Sequence, residues 1–391
     1  MEVKQIYSIV NAVSGEVLGK TDIVKDDLTG IVDLGTEVFN QGAVDNYVKS
    51  LVNHIGKVVF VNRPYSGKVP SVLMDAWEFG SVMEKVSADI PAAEENDTWN
   101  LTDGAEYKQD VFHKPVVTAK FFNSKVTFEV PVSITERQVK ESFSSAEQLN
   151  GFLSMIYNAV DKSMTIKADA LIMRTINNMV GETLKADAAK FTPSGKPLNY
   201  ASASTVRCVN LLYLYNQANG TQLTAAQAVL NPDFIRYASY QMGLYADRLQ
   251  SISALFNIGG KDRFTPKDAL HVVLLSDFAK AAQAFLYSDT KNMEQVLLPN
   301  AETVASWQGS GQDYGFAHTS AINIKTASGT DVNISGVLGV MFDRDALGVC
   351  NTDKRVTTNY NAKAEFFNNW FKFDASYFND TNENFVVFFV A

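Results

Sequence analysis

The stretch Ser124-Lys-Val-Thr-Phe-Glu-Val-Pro-Val-Ser133, with the run that follows it to Leu184, decides the fold. The ten residues quoted are strand-like. They pass through Ile-Thr-Glu-Arg-Gln-Val-Lys to a polar stop at Ser144-Ser145. Beyond the stop, Leu149, Phe152, Leu153, Ile156, Tyr157, Val160, Met164, Ala168, Leu171, Ile172, Ile176, Met179 and Val180 recur at steps of three and four. That spacing lines one face of a helix. Ser145 with Gln148 forms a capping box, and Ser144 with Glu147 offers a second. Gly151 falls in the second turn, and no Pro or Gly follows before Gly181. At 1.5 Å per residue a helix over 145–184 is about 55–60 Å long. Helices of globular proteins average roughly three turns. A strand feeding so long a helix predicts a spine on which separate parts are hung.

Upstream, residues 1–45 show only weak patterning between Ile9 and Val17, then polar turns. Val44 to Ile55 predicts a helix and Lys57 to Asn62 a strand. Residues 63–107 hold Pro64, Gly67, Pro70, Gly80, Pro91 and Gly104 among carboxylates and the aromatics Trp77, Phe79 and Trp99. An excursion so poor in core pattern predicts a projecting loop or hairpin flanked by strands at 57–62 and 108–132. Exposed aromatics on such an arm suit a neighbouring subunit better than water.

Downstream, 186–204 reads as a linker. Helices are predicted over Ala203–Ala218, Asp233–Tyr245 and Asp277–Phe285. Ala226–Leu230 reads as strand or helix. Strands are predicted over Leu270–Leu275 and Val337–Phe342, with short strands and turns such as Gly309-Ser-Gly311 over 288–335. Residues 346–391 are strand-rich: Leu347–Cys350, Arg355–Tyr360, Phe366–Tyr377 and Phe385–Val390.

The order of elements resembles the major capsid protein of tailed bacteriophages, the Hong Kong 97 fold, and most closely that of the small short-tailed phages. Three stretches carry the resemblance. They are Tyr47 to Val61, the strand–helix junction, and Val340 to Cys350 with Thr357 to Tyr360 and the aromatic end. It implies an α+β fold with an N-terminal arm over 1–45 and an E-loop hairpin over 63–118. A peripheral domain would be assembled from 46–62, 119–200 and 343–391, with its spine helix at about 145–184 and the C-terminal strands returned beside it, paired with 118–132. An α/β axial domain would span 201–342. It implies self-assembly into pentamers and hexamers of an icosahedral head enclosing double-stranded DNA. A separate scaffolding protein and a portal protein are the expected partners, with assembly in the host cytoplasm and the virion as destination. Lys68 and Lys85 lie on the expected E-loop, where a covalent link between subunits would draw on lysines; most of the family does without one. An encapsulin-type compartment shell is the alternative on the same fold, and a cargo enzyme encoded nearby would favour it.

Composition agrees with a folded chain that acts through its surface. At 391 residues it should divide into two or three parts. The net charge of −9 argues against a surface that grips phosphates or a polybasic membrane contact. Such a balance suits a wall that confines DNA without binding it tightly. The start lacks signal-peptide features, and no run reaches about 18 apolar residues. Cys208 and Cys350 read as reduced, buried residues. His54, His113, His271 and His318 have no metal-ligand spacing, and His271 reads as a core imidazole. Asp343 and Asp345 flank Arg344. They are the one carboxylate pair that acid–base work would use, but a turn at a strand end accounts for them better. No nucleophile elbow, phosphate loop or dinucleotide fingerprint occurs. No catalytic residue, metal ligand or cofactor site is therefore expected, and an enzyme working through Asp343 and Asp345 is the remaining alternative.

Overall fold

The computed structural model describes residues 3–20, 31–40, 46–47, 50, 70–74, 83–91, 93–107, 110, 112–137, 146–193, 195–290, 301–307 and 321–391. Its organising element is one unbroken 41-residue helix, α3 (Ala146–Ala186). The expected cap residues Ser144 and Ser145 lie outside the described residues. Over the middle of α3 the expected stripe is buried: Ile156, Val160, Met164 and Ala168. From Leu171 onward burial spreads around the helix, taking in Ile172, Met173, Thr175, Ile176, Asn177, Met179, Val180, Thr183 and Leu184. The single-face reading is thus corrected for this half, because the helix is packed on more than one side. Buried side-chain donors here find carbonyl partners. The Thr175 and Thr183 hydroxyls donate to the carbonyls of Leu171 and Met179 at 2.8 and 2.7 Å, and Asn177 Nδ2 donates to the Trp307 carbonyl at 2.6 Å.

One flank is a four-stranded sheet in the order β1 (Leu73–Met74), β11 (Leu347–Asn361), β12 (Phe366–Asn379), β4 (Lys125–Thr135). The strand that opens the sequence argument, β4, runs antiparallel to β12, with Val130 opposite Phe371 and Phe128 opposite Phe373. Burial alternates along most of β12, with Phe367, Phe371, Phe373 and Ala375 turned into the core.

The other flank is a five-stranded sheet, β5 (Cys208–Asn210), β13 (Phe385–Phe389), β10 (Val337–Asp343), β6 (Leu270–Leu275), β7 (Ala301–Val304). Its inner strands β13, β10 and β6 run apolar without alternation because both faces are covered. One face, with Val273, Val340, Phe342, Val387 and Phe389, shares a core with Ile172, Ile176, Met179 and Val180 of the spine. The opposite face packs under α4 (Leu211–Asn219), the single turn α5 (Ala225–Ala228), α6 (Pro232–Arg248) and α7 (Ser276–Thr290).

Four expectations are corrected. Ala203–Ala218 is not one helix: β5 occupies 208–210, parallel to β13, and the Asn210 side chain then caps α4 by accepting from the Tyr213 N–H at 3.1 Å. Phe385–Phe389 does not return beside 118–132 but enters the second sheet between β5 and β10. The 186–204 segment is anchored: Phe191 is buried and Asp187 pairs with Arg207. Residues 1–45 contain two helices, α1 (Val3–Leu18) and α2 (Ile31–Asn40), which bury Val10, Val13, Leu34 and Val38. The helix expected over 44–55 is described only at 46, 47 and 50, and the strand over 57–62 lies outside the described residues.

Candidate assembly interface

Two strands leave the body as an antiparallel hairpin, β2 (Met83–Ala88) and β3 (Val117–Phe122). The ladder is extended by the Asp89 N–H donating to the Val116 carbonyl at 2.9 Å. Asn123 and Ser124 alone separate β3 from β4, so the hairpin springs directly from the edge of the four-stranded sheet. Described residues between the two strands are exposed almost throughout, with Trp99 at 94% and Phe112 at 86%. The described part of the hairpin stem starts at Met83, and residues 70–74 of the expected E-loop range sit instead at the body, where β1 pairs with β11. Trp77 and Phe79 lie outside the described residues.

The stem has the reverse of ordinary amphipathic polarity. Its half-buried positions are Met83, Lys85, Ser87 and Asp89 on one strand and Thr118, Lys120 and Phe122 on the other. Its solvent face carries Val86, Ile90, Val117 and Phe121, each more than half exposed. An apolar sheet face left open to water on an otherwise polar arm marks a contact surface.

Charge holds the inner face. Lys85 and Lys120 stand directly opposite one another in the register. Asp380, in the turn that joins β12 to β13, lies between them: one carboxylate oxygen is 3.1 Å from Lys85 Nζ and the other 2.9 Å from Lys120 Nζ. Lys85 also reaches Glu383 at 2.8 Å, and Arg263 meets the same carboxylate at 3.3 Å. Higher on the stem, Lys261 Nζ lies 2.7 Å from both oxygens of Asp89. Phe122 adds a ring contact to Phe378, centroids 5.3 Å apart.

The turn itself is almost inaccessible. Asp380 accepts from the Asn382 N–H at 3.0 Å, Gly259 donates to the Thr381 carbonyl at 2.8 Å, and Asn384 donates to Thr265 at 3.1 Å. Burial would raise the Asp380 pKa, but the Asn382 N–H and the two ammonium groups outweigh it and hold the carboxyl below its ordinary range. Burial would likewise lower Lys85, yet Glu383 and Asp380 outweigh it and raise its pKa.

The remaining candidates for chemistry stand apart. Asp343 accepts from the Asp345 N–H at 2.9 Å, while Arg344 N–H donates to the Ala269 carbonyl at 2.8 Å, which makes the pair a turn after β10. His271 is stacked on Phe342 with centroids 5.5 Å apart, and burial lowers its pKa. His113 is exposed on the hairpin, and His54 and His318 lie outside the described residues. Cys208 and Cys350 are buried free thiols. Among the described residues there is no group of three His, Cys, Asp or Glu placed to hold a metal, and no helix long and apolar enough to cross a membrane. Lys85 is engaged within its own chain and Lys68 lies outside the described residues. The reversed stem polarity was missed in the sequence. Alternation there sets the lysines on one face with Met83, Ser87 and Phe122 but does not say which face turns inward.

The Phi29-like phage major capsid protein family matches residues 6–389. This chain belongs to that family. It is accordingly a shell subunit of a phage head and a component of the virion, and its family is one of structural proteins rather than enzymes. No curated protein sequence matches it. Solved structures that resemble it include the capsid of Staphylococcus phage Andhra, at 10% identity and a TM-score of 0.49, covering 84% of this chain and 86% of that one. The capsid of cyanophage P-SCSP1u is similar at 12% identity and a TM-score of 0.46, covering 85% and 92%. The mature capsid of bacteriophage PhiM1 is similar at 8% identity and a TM-score of 0.39, covering 84% and 91%.

Proposed function

We propose that this capsid subunit closes into pentamers and hexamers of an icosahedral head, with the hairpin laid across a second copy. The observation that carries this reading is the apolar outer face of the stem, Val86, Ile90, Val117 and Phe121, each more than half exposed among the described residues. Heterologous contacts of this kind, in which one patch meets a different patch on the next copy, close into rings. In this reading 1–45 is the N-terminal arm and α3 stiffens the peripheral part. The five-stranded sheet with its helices, about 201–342 together with β13, forms the axial part. The shell encloses double-stranded DNA without reading its sequence. A separate scaffolding protein and a portal protein direct assembly in the host cytoplasm.

The test shortens the hairpin. Replacing Ile90–Pro115 by Asn-Gly joins Asp89 to Val116 through a two-residue turn and keeps the ladder and the root. The shortened subunit should stay folded and monomeric and form no closed shells by electron microscopy. Shells of normal size from this variant would overturn the assembly role of the hairpin.

A further inference from the structure

We infer that Asp380, bridging Lys85 and Lys120, fixes the direction in which the hairpin leaves the body, and that this direction, as distinct from the apolar contact itself, is what lets the subunit assemble. The inference rests on the reading of the hairpin as the assembly arm.

A two-stranded ribbon is marginally stable alone and has no rigid attachment of its own. Here the ribbon also carries two ammonium groups directly opposite each other, at Lys85 and Lys120, a pairing that is destabilising by itself. Asp380 reverses the sign of that pairing by giving one oxygen to each lysine. The anchor is rigid in its turn. Asp380 is 2% exposed, its N–H donates to the Ala346 carbonyl at 2.7 Å, and its turn is bonded to Gly259 and Thr265. The turn is also the crossing from the four-stranded to the five-stranded sheet, so the hairpin's orientation is referenced to both sheets at once. Lys85 additionally donates to the Asp345 carbonyl at 3.2 Å, tying the stem to the turn after β10.

Ion pairs suit this role better than apolar packing. A hydrophobic inner face would bury the ribbon in many alternative registers, whereas two lysines on the two oxygens of one buried carboxylate admit one arrangement. Removing the charges at Lys85 and Lys120 leaves β2–β3 pairing, the Lys261–Asp89 pair and the Phe122–Phe378 contact in place but removes the reference supplied by Asp380. Lys85, Lys120 and Asp380 are therefore positioning residues: their ion pairs among the described residues all lie within the chain.

The experiment uses the full chain. Spin labels at Asn96→Cys on the tip and Asn219→Cys on the body report the tip-to-body distance; the native cysteines are buried. Lys85→Met with Lys120→Met should broaden that distance distribution and abolish closed shells while melting shifts by only a few degrees. Asp380→Asn, which keeps an oxygen for the Asn382 N–H, should do the same. Lys85→Arg with Lys120→Arg should keep both the narrow distribution and the shells. Either an unchanged distribution or normal closed shells from the Met pair overturns the inference. Failure of the underlying reading is separate: it shows as shells from the Ile90–Pro115 replacement, a variant that retains the whole root.

Discussion

A proline at position 159 isolates the backbone of the spine from its side-chain packing. Ala159 is exposed, so Ala159→Pro removes no core contact. It removes the hydrogen bond to the carbonyl of residue 155 and forces the ring against that carbonyl, at a cost of about 3 kcal/mol or more. Spread over about 2.1 cal/mol/K per residue for 391 residues, this lowers the melting midpoint by roughly 4 °C. The geometric consequence is larger. The segment from Ala146 to Ala159 is about 20 Å long, and a kink of about 25° swings its far end by roughly 8 Å. That end is tied through 136–145 to β4, whose eleven residues are registered against β12. The mutant should therefore stay folded, lose slight helicity by circular dichroism, and fail to form closed shells by electron microscopy and sedimentation. Ala159→Gln, a good helix former at the same exposed position, should assemble normally. Normal shells from the proline variant at wild-type yield would refute the claim that a straight spine is required.

Three further outcomes follow from the root of the hairpin and the core. A Cβ at Gly259 would overlap Asn382 Oδ1 and approach its Cα to 3.2 Å, so Gly259→Ala must displace Asn382 in the turn that carries Asp380; the expected readout is weakened assembly with loosened hairpin protection in hydrogen exchange. Because the folded Asp380 carboxyl is depressed, the stability it contributes is present at neutral pH and lost as pH falls through and below 3.8. The melting difference between the native chain and Asp380→Asn should thus be largest near pH 7 and shrink in acid; a difference that grows in acid contradicts the bridging geometry. Burial pushes the Cys208 thiol far up, so Cys208 should resist thiol reagents until the chain unfolds, read by mass spectrometry against urea concentration.

Much of the architecture was legible locally. The three- and four-residue spacing from Ile156 to Val180 specifies a helix whatever surrounds it, and the apolar runs at 270–275 and 337–342 specify strands covered on both faces. These are short-range properties, since the period of the side chains and the reach of a cap depend on neighbours within a few residues. The start of β5 was not legible in this way. Cys208-Val-Asn210 is as compatible with a helix as with a strand, and only its pairing with Val387–Phe389, far along the chain, makes it a strand. For the same reason the aromatic end could be read as strand but not assigned to its sheet.

The functional surface divides along the same line. Turns, carboxylates and unpatterned aromatics between 63 and 107 were enough to expect a projecting arm, and the strand feeding a long helix was enough to expect a spine. Sequence alternation in β2 and β3 separates a face with Lys85, Ser87, Thr118 and Lys120 from one with Val86, Val117 and Phe121, but alternation does not say which face turns inward. The ordinary expectation buries the apolar one. Tertiary structure decided otherwise, because Asp380 and Glu383, about 260 residues away from Lys120 and about 300 from Lys85, supply an anionic seat that only the lysine face can occupy. Periodicity is a property of the strand itself; the choice of face belongs to whatever it packs against.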